Sequence, residues 1–333
     1  MKRVKRLFAC LLALTMMLGL SATAFATETA EKVQTPANGG TVTFEKEYKL
    51  VGEGISPAET FEFNIAKAGV ENGGVDAEKQ DMPTVGTAAY AQNGATTAGN
   101  KKEVTVALPT YTSVGVYSYI ITEKTGTTGT TAGVAYDSKS VTMKVTAVDN
   151  NGTIEIAAVS FTKAGKKLAD NEAAFNNTYT ANKLSISKTV AGNLGDKSKY
   201  FDFTVTLTGK EGEEYSLPAT ITGGSDKSGK KENVAISGTT TFKLKHGDTI
   251  TIENLPAGVS YKVEEATPSD YTMNATGQEG TMDAEAKTAA FTNTKTGDID
   301  TGVYLDNLPY ILVFAGVLAI AAVFIVRRRR FED

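Results

Sequence analysis

Apolar and polar residues alternate with period two in a series of short segments along this chain. Val42–Leu50, Tyr117–Glu123, Leu184–Val190 and Tyr261–Glu265 each place every second side chain on an apolar face. Because successive side chains of a strand point to opposite faces, this alternation predicts β-strands with one buried face.

Further strand segments, separated by turn residues, extend the pattern. Residues 60–65, 114–122, 140–148 and 153–161 are each predicted to form strands. Asn151-Gly152 predicts a two-residue hairpin turn between the last two. No long amphipathic helix interrupts the series, so the pattern predicts an all-β fold.

The pattern occurs twice, which indicates a tandem repeat. Phe201–Val205 repeats the alternation of Phe61–Ile65, and both segments follow a strand that carries a lysine. Short strands at regular spacing predict two β-sandwiches in series. The expected boundaries are residues 27–40 for a flexible leader, 41–180 for domain 1 and 181–295 for domain 2, with a short connection near Ala181. A long excursion over 69–100, rich in Gly, Ala, Thr and Asn, is assigned no secondary structure.

Six polar residues fall on the apolar faces of these predicted strands, in the same order in both repeats. Each repeat has a lysine on its first strand, a glutamate 77 residues later and an asparagine two residues after a phenylalanine. The first triad is Lys46, Glu123 and Asn177, and the second triad is Lys188, Glu265 and Asn293. Glu264 and Asn176 are the neighbouring competitors for two of these roles.

A buried lysine, glutamate and asparagine can react with one another. Burial disfavours charge, so the amine tends to become neutral and nucleophilic, and the carboxyl tends to become protonated. The neutral carboxyl can then polarise the asparagine carboxamide and shuttle protons while the amine attacks. Ammonia leaves and an isopeptide bond remains, with no cofactor or metal. The alternative is a buried Lys–Glu ion pair beside a hydrogen-bonded asparagine, without a covalent bond.

The chain resembles the two-domain major (backbone) pilins of Gram-positive bacteria, through both triads and through Tyr119–Glu123 and Tyr261–Glu265. The resemblance implies Ig-like (CnaB-type) β-sandwich domains with internal Lys–Asn isopeptide bonds, in which Glu123 and Glu265 are catalytic. It implies a structural shaft subunit of a covalent pilus, and no enzyme acting on an external substrate.

The amino end has the features of a secretory signal peptide over residues 1–26. Four basic residues precede an apolar stretch over 7–20, and Ala24-Phe25-Ala26 provides a cleavage site. Cys10 is the only cysteine in the chain and would leave with this peptide. Isopeptide bonds would therefore replace disulfides in the exported protein.

Residues 296–333 resemble a sortase sorting signal. Thr301-Gly302 precedes an apolar segment over 308–326, which is long enough to span a bilayer, and the segment is followed by Arg327–Arg330. The resemblance implies cleavage between Thr301 and Gly302 by a sortase, transient membrane anchoring and final covalent attachment at the cell surface. The alternative for this end is a permanent single-pass anchor.

The resemblance also implies a lysine late in domain 1 that joins one subunit to the next. Lys167 and Lys166 precede the last predicted strand of domain 1 at about the matching place, with Lys163 close by. The implied partners are a sortase, neighbouring copies of the chain, minor tip or base pilins and peptidoglycan.

Charge and composition argue against nucleic-acid binding, metal binding and hydrolytic catalysis. Without the two processed ends the chain keeps 26 of its 34 basic and 35 of its 38 acidic residues, which gives a net charge of −9 and no reason to bind nucleic acid. His246 is the only histidine, which argues against a metal site or a hydrolytic triad. A monomeric wall-anchored adhesin and a permanently membrane-anchored binding protein remain as alternatives to the pilus subunit.

Overall fold

The computed structural model describes residues 32–74, 76–125, 130–225, 227–298 and 308–329. The all-β prediction is confirmed, because strands dominate these ranges. The strands of domain 1 are β1 (Val33–Gln34), β2 (Thr41–Gly52), β3 (Glu59–Phe61), β4 (Phe63–Glu71), β5 (Thr84–Val85), β6 (Ala88–Tyr90), β7 (Asn100–Ala107), β8 (Gly115–Glu123), β9 (Thr130–Thr131), β10 (Val134–Ala135), β11 (Val141–Asn150), β12 (Thr153–Lys163) and β13 (Lys166–Lys167).

A long strand, β14, leads from domain 1 into domain 2. The strands from this point on are β14 (Ala173–Ala191), β15 (Phe201–Thr208), β16 (Glu213–Glu214), β17 (Ala219–Gly223), β18 (Lys227–Val234), β19 (Gly238–Leu244), β20 (Thr249–Pro256), β21 (Ser260–Ala266), β22 (Thr272–Thr276), β23 (Glu279–Thr281) and β24 (Lys287–Thr294). Within the described ranges the helical elements are a 3₁₀ turn at Ala77–Lys79 and the α-helix α1 at Leu308–Arg329.

Each domain is a sandwich of two facing sheets. In domain 1 one sheet has the strand order β1-β12-β11-β8-β4. The facing sheet consists of the first half of β14 together with β2, β7 and β5. In domain 2 the order β19-β15-β21-β23 faces the second half of β14 with β20, β17 and β24. Separate hydrophobic cores fill the two sandwiches, one from residues 42–181 and one from residues 184–291.

The predicted hairpin between β11 and β12 has the geometry that its sequence indicates. Asn151 and Gly152 both have positive φ, 54° and 91°, and Asn150 pairs with Thr153 across the turn. Two consecutive positive φ values define the type I′ turn, which suits the twist of a β-hairpin.

The connection between the domains is a continuous strand. The short connection expected near Ala181 lies within β14, which runs through this position without a break. The backbone of Ala181 pairs with Gly52 on one side and with Pro256 on the other, so neighbouring strands of both domains hold the chain extended here. The last strand of domain 1 is therefore also the first strand of domain 2.

Three other segments contain strands or breaks that the sequence pattern does not reveal. β1 lies inside the predicted flexible leader, where Val33 and Gln34 pair with β12. The single strand predicted over 60–65 is two strands, because β3 pairs with β6 whereas β4 pairs with β8 in another sheet. The excursion over 69–100 contains the 3₁₀ turn, β5 and β6.

The apolar segment predicted over 308–326 lies within α1, and its side chains from residue 310 to residue 322 are exposed. Within the described ranges no helix meets the combined length and apolarity of a membrane crossing.

Candidate functional site

The first triad lies between the two sheets of domain 1. Lys46 on β2 and Asn177 on β14 belong to neighbouring parallel strands, in which Lys46 pairs with Phe175 and Tyr48 pairs with Asn177. This register puts the lysine and the asparagine two residues apart on the same inward face. Glu123 reaches them from the facing sheet, where it is the last residue of β8.

The three side chains of the first triad are in contact and shielded from water. Lys46 Nζ lies 3.3 Å from Glu123 Oε2, and neither side chain has exposed surface. Asn177 Nδ2 donates a hydrogen bond to Glu123 Oε1. The Asn177 carbonyl accepts a hydrogen bond of 2.9 Å from the backbone N–H of Asp137. The glutamate therefore touches both the amine and the amide.

The second triad repeats this arrangement in domain 2. Lys188 on β14 pairs with Phe291 of the parallel strand β24, and Asn293 lies two residues further along. Glu265 comes from β21 in the facing sheet and accepts hydrogen bonds of 3.0 and 2.8 Å from Lys188 Nζ. Asn293 Nδ2 donates to Glu265 Oε1. Strand β14 thus carries the last residue of the first triad, Asn177, and the first residue of the second triad, Lys188.

A phenylalanine ring covers each buried amine. Lys46 Nζ lies 4.3 Å from the ring centre of Phe61, and Lys188 Nζ lies 4.3 Å from that of Phe201. Sequence reasoning recognised the repeated Phe-x-Phe segments but not their contact with the lysines. The rings exclude water from both amines, which raises the cost of a charged lysine, while the attraction of the ring face for a cation offsets part of that cost.

Burial shifts the pKa values of both lysines and of Glu123 in the direction that favours their neutral forms. It lowers the pKa of Lys46 to about 8, against the opposing attraction of Glu123. It raises the pKa of Glu123 despite the nearby Lys46 ammonium. Burial likewise lowers the pKa of Lys188, although hydrogen bonds to Glu265 favour its charged form. Part of the Lys46 population is thus an uncharged nucleophile near neutral pH.

The competing side chains lie outside the triads. Asn176 is exposed on the outer face of β14. Glu264 is exposed on β21 and forms an ion pair of 2.7 Å with Lys262. The alternation of the two strands therefore selects Asn177 and Glu265 as the inward-facing members.

The remaining predicted site residues have different surroundings. Lys166 and Lys167 form the short edge strand β13 beside β12, and both are exposed. Lys163 is instead half-buried and bonds to Asp137 at 2.6 Å, so it is poorly placed to reach a neighbouring subunit. Thr301 and Gly302 lie outside the described residues, as does the predicted signal peptide. Across the described ranges, no cluster of three or more His, Cys, Asp or Glu side chains is arranged to hold a metal ion.

By class, this protein is an all-β chain of two tandem Ig-like β-sandwiches. Each sandwich has a buried Lys–Glu–Asn triad between its first and last strands. Residues 42–180 match the family model described as Spy0128-like isopeptide containing domain. Residues 182–295 match the model of a domain of unknown function. These two matches meet within β14.

Known proteins similar to the whole chain are streptococcal pilins. A pilin of Streptococcus pyogenes serotype M1 is 29% identical, with 94% of this chain and 98% of that protein covered. The crystal structure of the major pilin from Streptococcus pyogenes matches with a TM-score of 0.52 and 26% identity, covering 78% of this chain and 100% of that one. The major pilin T3.2 from Streptococcus pyogenes serotype GAS13637 shares the fold, with a TM-score of 0.51 and 22% identity over 79% of this chain and 99% of that one. The chain is thus similar to Gram-positive major pilins over most of its length, and its first domain matches the Spy0128-like isopeptide containing family model.

Proposed function

We propose that this chain is the shaft subunit of a sortase-assembled covalent pilus, and that each domain closes itself with one Lys–Asn isopeptide bond. The observation that carries the proposal is the repetition of one buried geometry. In both domains the lysine and the asparagine lie on neighbouring parallel strands, with the glutamate opposite them. The similarity to streptococcal pilins supports the assembly of copies into a fibre.

The reaction follows from the contacts within each triad. The neutral amine of Lys46 attacks Cγ of Asn177, which forms the new N–C bond and places the negative charge on Oδ1. The carboxyl of Glu123 accepts a proton from the attacking nitrogen and delivers one to Nδ2. The C–Nδ2 bond then breaks and ammonia leaves. Lys188, Glu265 and Asn293 take the same roles in domain 2.

Fixed geometry provides most of the acceleration. The two sheets hold the amine and the amide of each triad against the same glutamate, and effective molarities for oriented groups reach about 10⁵–10⁸ M. No external enzyme or cofactor is required for this step. Each domain reacts once with itself, so the chain is not an enzyme in the usual sense.

The two bonds would stabilise the subunit as disulfides do in other exported proteins. They close loops of 131 residues, from Lys46 to Asn177, and of 105 residues, from Lys188 to Asn293. By the loop-closure model each bond contributes roughly 5 kcal/mol to the free energy of unfolding. Reducing agents cannot open them.

The ends of the chain would serve export and polymerisation. In this proposal the signal peptide over residues 1–26 is removed, and the segment over 308–326 holds the chain in the membrane until a sortase cuts between Thr301 and Gly302. Thr301 is then transferred to Lys167 or Lys166 of the next subunit. Both lysines are exposed on β13, which suits this role better than the half-buried Lys163.

Denaturing gels of the cell-wall fraction test the assembly. We expect high-mass ladders from the wild type, and only monomer from Thr301→Ala and from the double variant Lys166→Arg/Lys167→Arg, which keeps the charge but removes both candidate amines. Lys197→Arg alters another exposed lysine and should leave the ladder intact. A wall-bound monomer in the wild type would indicate an anchored adhesin instead, and a chain that retains Gly302 onward would indicate a permanent membrane protein.

A further inference from the structure

The carbonyl group of Asn177 has a hydrogen-bond donor in domain 1. The backbone N–H of Asp137 donates to Asn177 Oδ1 at 2.9 Å. Because a backbone N–H can only donate, this contact fixes which end of the carboxamide is oxygen. The leaving nitrogen Nδ2 consequently faces the carboxyl of Glu123. The oxygen that becomes negative when Lys46 attacks already has a donor.

The segment that carries this donor is held rigidly by its own side chain. Asp137 Oδ2 accepts hydrogen bonds from Lys163 Nζ at 2.6 Å and from the N–H of Asn176 at 3.0 Å. Asp137 Oδ1 accepts from the N–H of Lys139 at 3.0 Å. Lys163 Nζ also donates to the carbonyl of Ala174 at 2.6 Å. Asp137 is thus tied to β12 and to β14, next to the reacting asparagine.

The charge of Asp137 is maintained by the same contacts. Burial alone would raise the pKa of Asp137, but the hydrogen bond from Lys163 and the amides of Asn176 and Lys139 outweigh it and hold that pKa below its usual value. The Asp137–Lys163 pair is largely shielded, with side chains 10% and 14% exposed. Such a pair keeps its geometry better than an exposed ion pair does.

Domain 2 differs at this point. Asn293 Oδ1 is buried and has no hydrogen-bond partner among the described residues. The lysine of domain 2 makes closer contacts with its glutamate than the lysine of domain 1 does, since both Glu265 oxygens lie within 3.0 Å of Lys188 Nζ. The two triads therefore share their reacting groups but not their environment around the amide oxygen.

We infer that the backbone N–H of Asp137, positioned by the side-chain pair Asp137–Lys163, is an oxyanion donor that speeds isopeptide formation in domain 1, and that the described residues of domain 2 provide no counterpart. This inference rests on the proposed cross-linking. When Lys46 Nζ bonds to Cγ of Asn177, the C=O electron pair moves to Oδ1, where the Asp137 N–H stabilises it. The electron pair returns as the C–Nδ2 bond breaks, and Nδ2 leaves as ammonia with the one proton that Glu123 transfers to it from the attacking amine. Donors aimed at a developing oxyanion accelerate acyl transfer because they need no reorganisation.

A time course of bond formation tests the inference on the full chain. The chain is made by cell-free translation with a short isotope pulse, quenched in acid at intervals and digested. The Lys46–Asn177 and Lys188–Asn293 cross-linked peptides are then counted by mass spectrometry. The variants are Asp137→Ala and Lys163→Met, with Lys163→Arg as the control that keeps the ion pair.

We expect Asp137→Ala and Lys163→Met to slow the domain 1 bond roughly tenfold to a hundredfold, up to what loss of an oxyanion donor typically costs. The domain 2 bond serves as the internal reference and should form at the wild-type rate, and Lys163→Arg should behave as the wild type. A domain 1 rate that is unchanged in both variants, or equal slowing of both bonds, would overturn the inference. If the wild type forms neither peptide, it is the proposed cross-linking that fails.

The fold of domain 1 is checked in the same samples by its resistance to a brief protease pulse. A slower rate counts as support only in a variant that stays resistant. If both variants lose the fold, the wild-type time course decides the question. The rate of each bond is measured from the time at which synthesis of its domain is complete. On this time scale, a domain 2 bond that forms as fast as the domain 1 bond would overturn the inference.

Discussion

A lysine at an inward position of a strand costs free energy of folding, because its amine loses contact with water. A buried lysine is therefore expected to have a function. Lys46 and Lys188 are 0% and 1% exposed, and each faces a phenylalanine ring as well as a carboxyl group. Pairs of this kind contribute little to stability compared with apolar side chains of similar size. Two such pairs, each beside a buried asparagine, indicate residues retained for their chemistry.

Adjacent asparagines on β14 give a matched pair of substitutions. We expect Asn177→Ala to lower the free energy of unfolding of domain 1 by roughly 5 kcal/mol, because the loop closed by the bond becomes free in the unfolded chain. Asn176→Ala alters an exposed side chain and should change stability by at most about 0.5 kcal/mol. Thermal unfolding of both variants measures the difference, and equal effects would argue against a bond at Asn177.

The proton affinity of Lys46 predicts a pH dependence in a chain that lacks the first bond. In Asn177→Ala, the folded amine has a pKa near 8 and the unfolded one an ordinary value of 10.5. Between these values the unfolded chain binds the extra proton, so the free energy of unfolding rises with pH, by at most about 1.4 kcal/mol per unit.

The double variant Asn177→Ala/Lys46→Met isolates this effect, since it lacks only the titrating amine. Denaturant unfolding between pH 8 and 10.5 should show a steeper rise for the single variant than for the double one. Parallel curves would mean that Lys46 is not desolvated as the structure describes.

The sequence predicts the members of both triads because strand alternation is a local property. Lys46 and Asn177 can be assigned to an inward face from their immediate neighbours. The surroundings of the amide oxygens cannot be assigned in this way. Asp137 lies 40 residues from Asn177 in a segment without periodicity, and its contact with Asn177 exists only because β10 and β14 pair.

β14 is the element that organises the subunit. Its first half pairs in parallel with β2 and its second half in parallel with β24. An isopeptide bond in each domain would tie β14 to both of these strands. Tension along the fibre would then pass from strand to strand through covalent bonds, without loading the other strands of the sandwiches.

Pulling on single molecules tests this path. We expect both domains of the wild type to resist extension between their bonded residues. Asn177→Ala should release the chain from position 46 to position 177, which are 131 positions apart, a length of roughly 450 Å. Domain 2 remains bonded in the same molecule and acts as the control. A wild-type chain that extends by this length under the same force would exclude a bond in domain 1.

The β11–β12 hairpin provides a test of a single element. Gly152 has a φ of 91°, and an added Cβ would meet no atom within 4 Å, so Gly152→Ala changes only the backbone preference. We expect a loss of about 1 kcal/mol. Gly74→Ala also adds a methyl group in open space, at a φ outside the left-handed region, and should be nearly neutral. Equal stabilities in chemical denaturation would contradict the type I′ turn.

The ends of a strand can be predicted from the sequence where a turn is encoded by a few adjacent residues. They cannot be predicted where they depend on pairing with strands far away in the chain. Asn151-Gly152 identifies its hairpin in two residues. The division between β3 and β4 is invisible in the sequence, since Phe61 and Phe63 continue one alternation and only their different partner strands separate them. The uninterrupted course of β14 likewise depends on partners from both domains.

At the scale of the whole molecule, backbone contacts join the two sandwiches beside β14. The N–H of Glu53 donates to the carbonyl of Ala181 at 2.8 Å, and the N–H of Ile55 donates to Asn254 Oδ1 at 2.9 Å. β9 of domain 1 pairs in parallel with β16 of domain 2. These contacts, added to the shared strand, indicate a stiff joint.

Gly52 is the residue on which this joint depends most closely. Its φ is +83°, and an added Cβ would lie 2.3 Å from the carbonyl oxygen of Ala181. We therefore expect Gly52→Ala to loosen the joint and broaden the distance distribution in small-angle X-ray scattering. Gly212→Ala has a similar φ of +80° with no atom within 4 Å, so it controls for backbone strain alone. Identical scattering from the two variants would contradict this role.

The intact mass of the full chain, made by cell-free translation so that both ends stay uncut, tests the central claim most directly. The account predicts a wild-type mass short of the sequence mass by two ammonia molecules. Glu123→Ala and Glu265→Ala should each be short by only one, while the neighbouring Glu264→Ala should still be short by two. A wild-type mass equal to that of the sequence would contradict the account and leave two buried ion pairs in an ordinary pair of β-sandwiches.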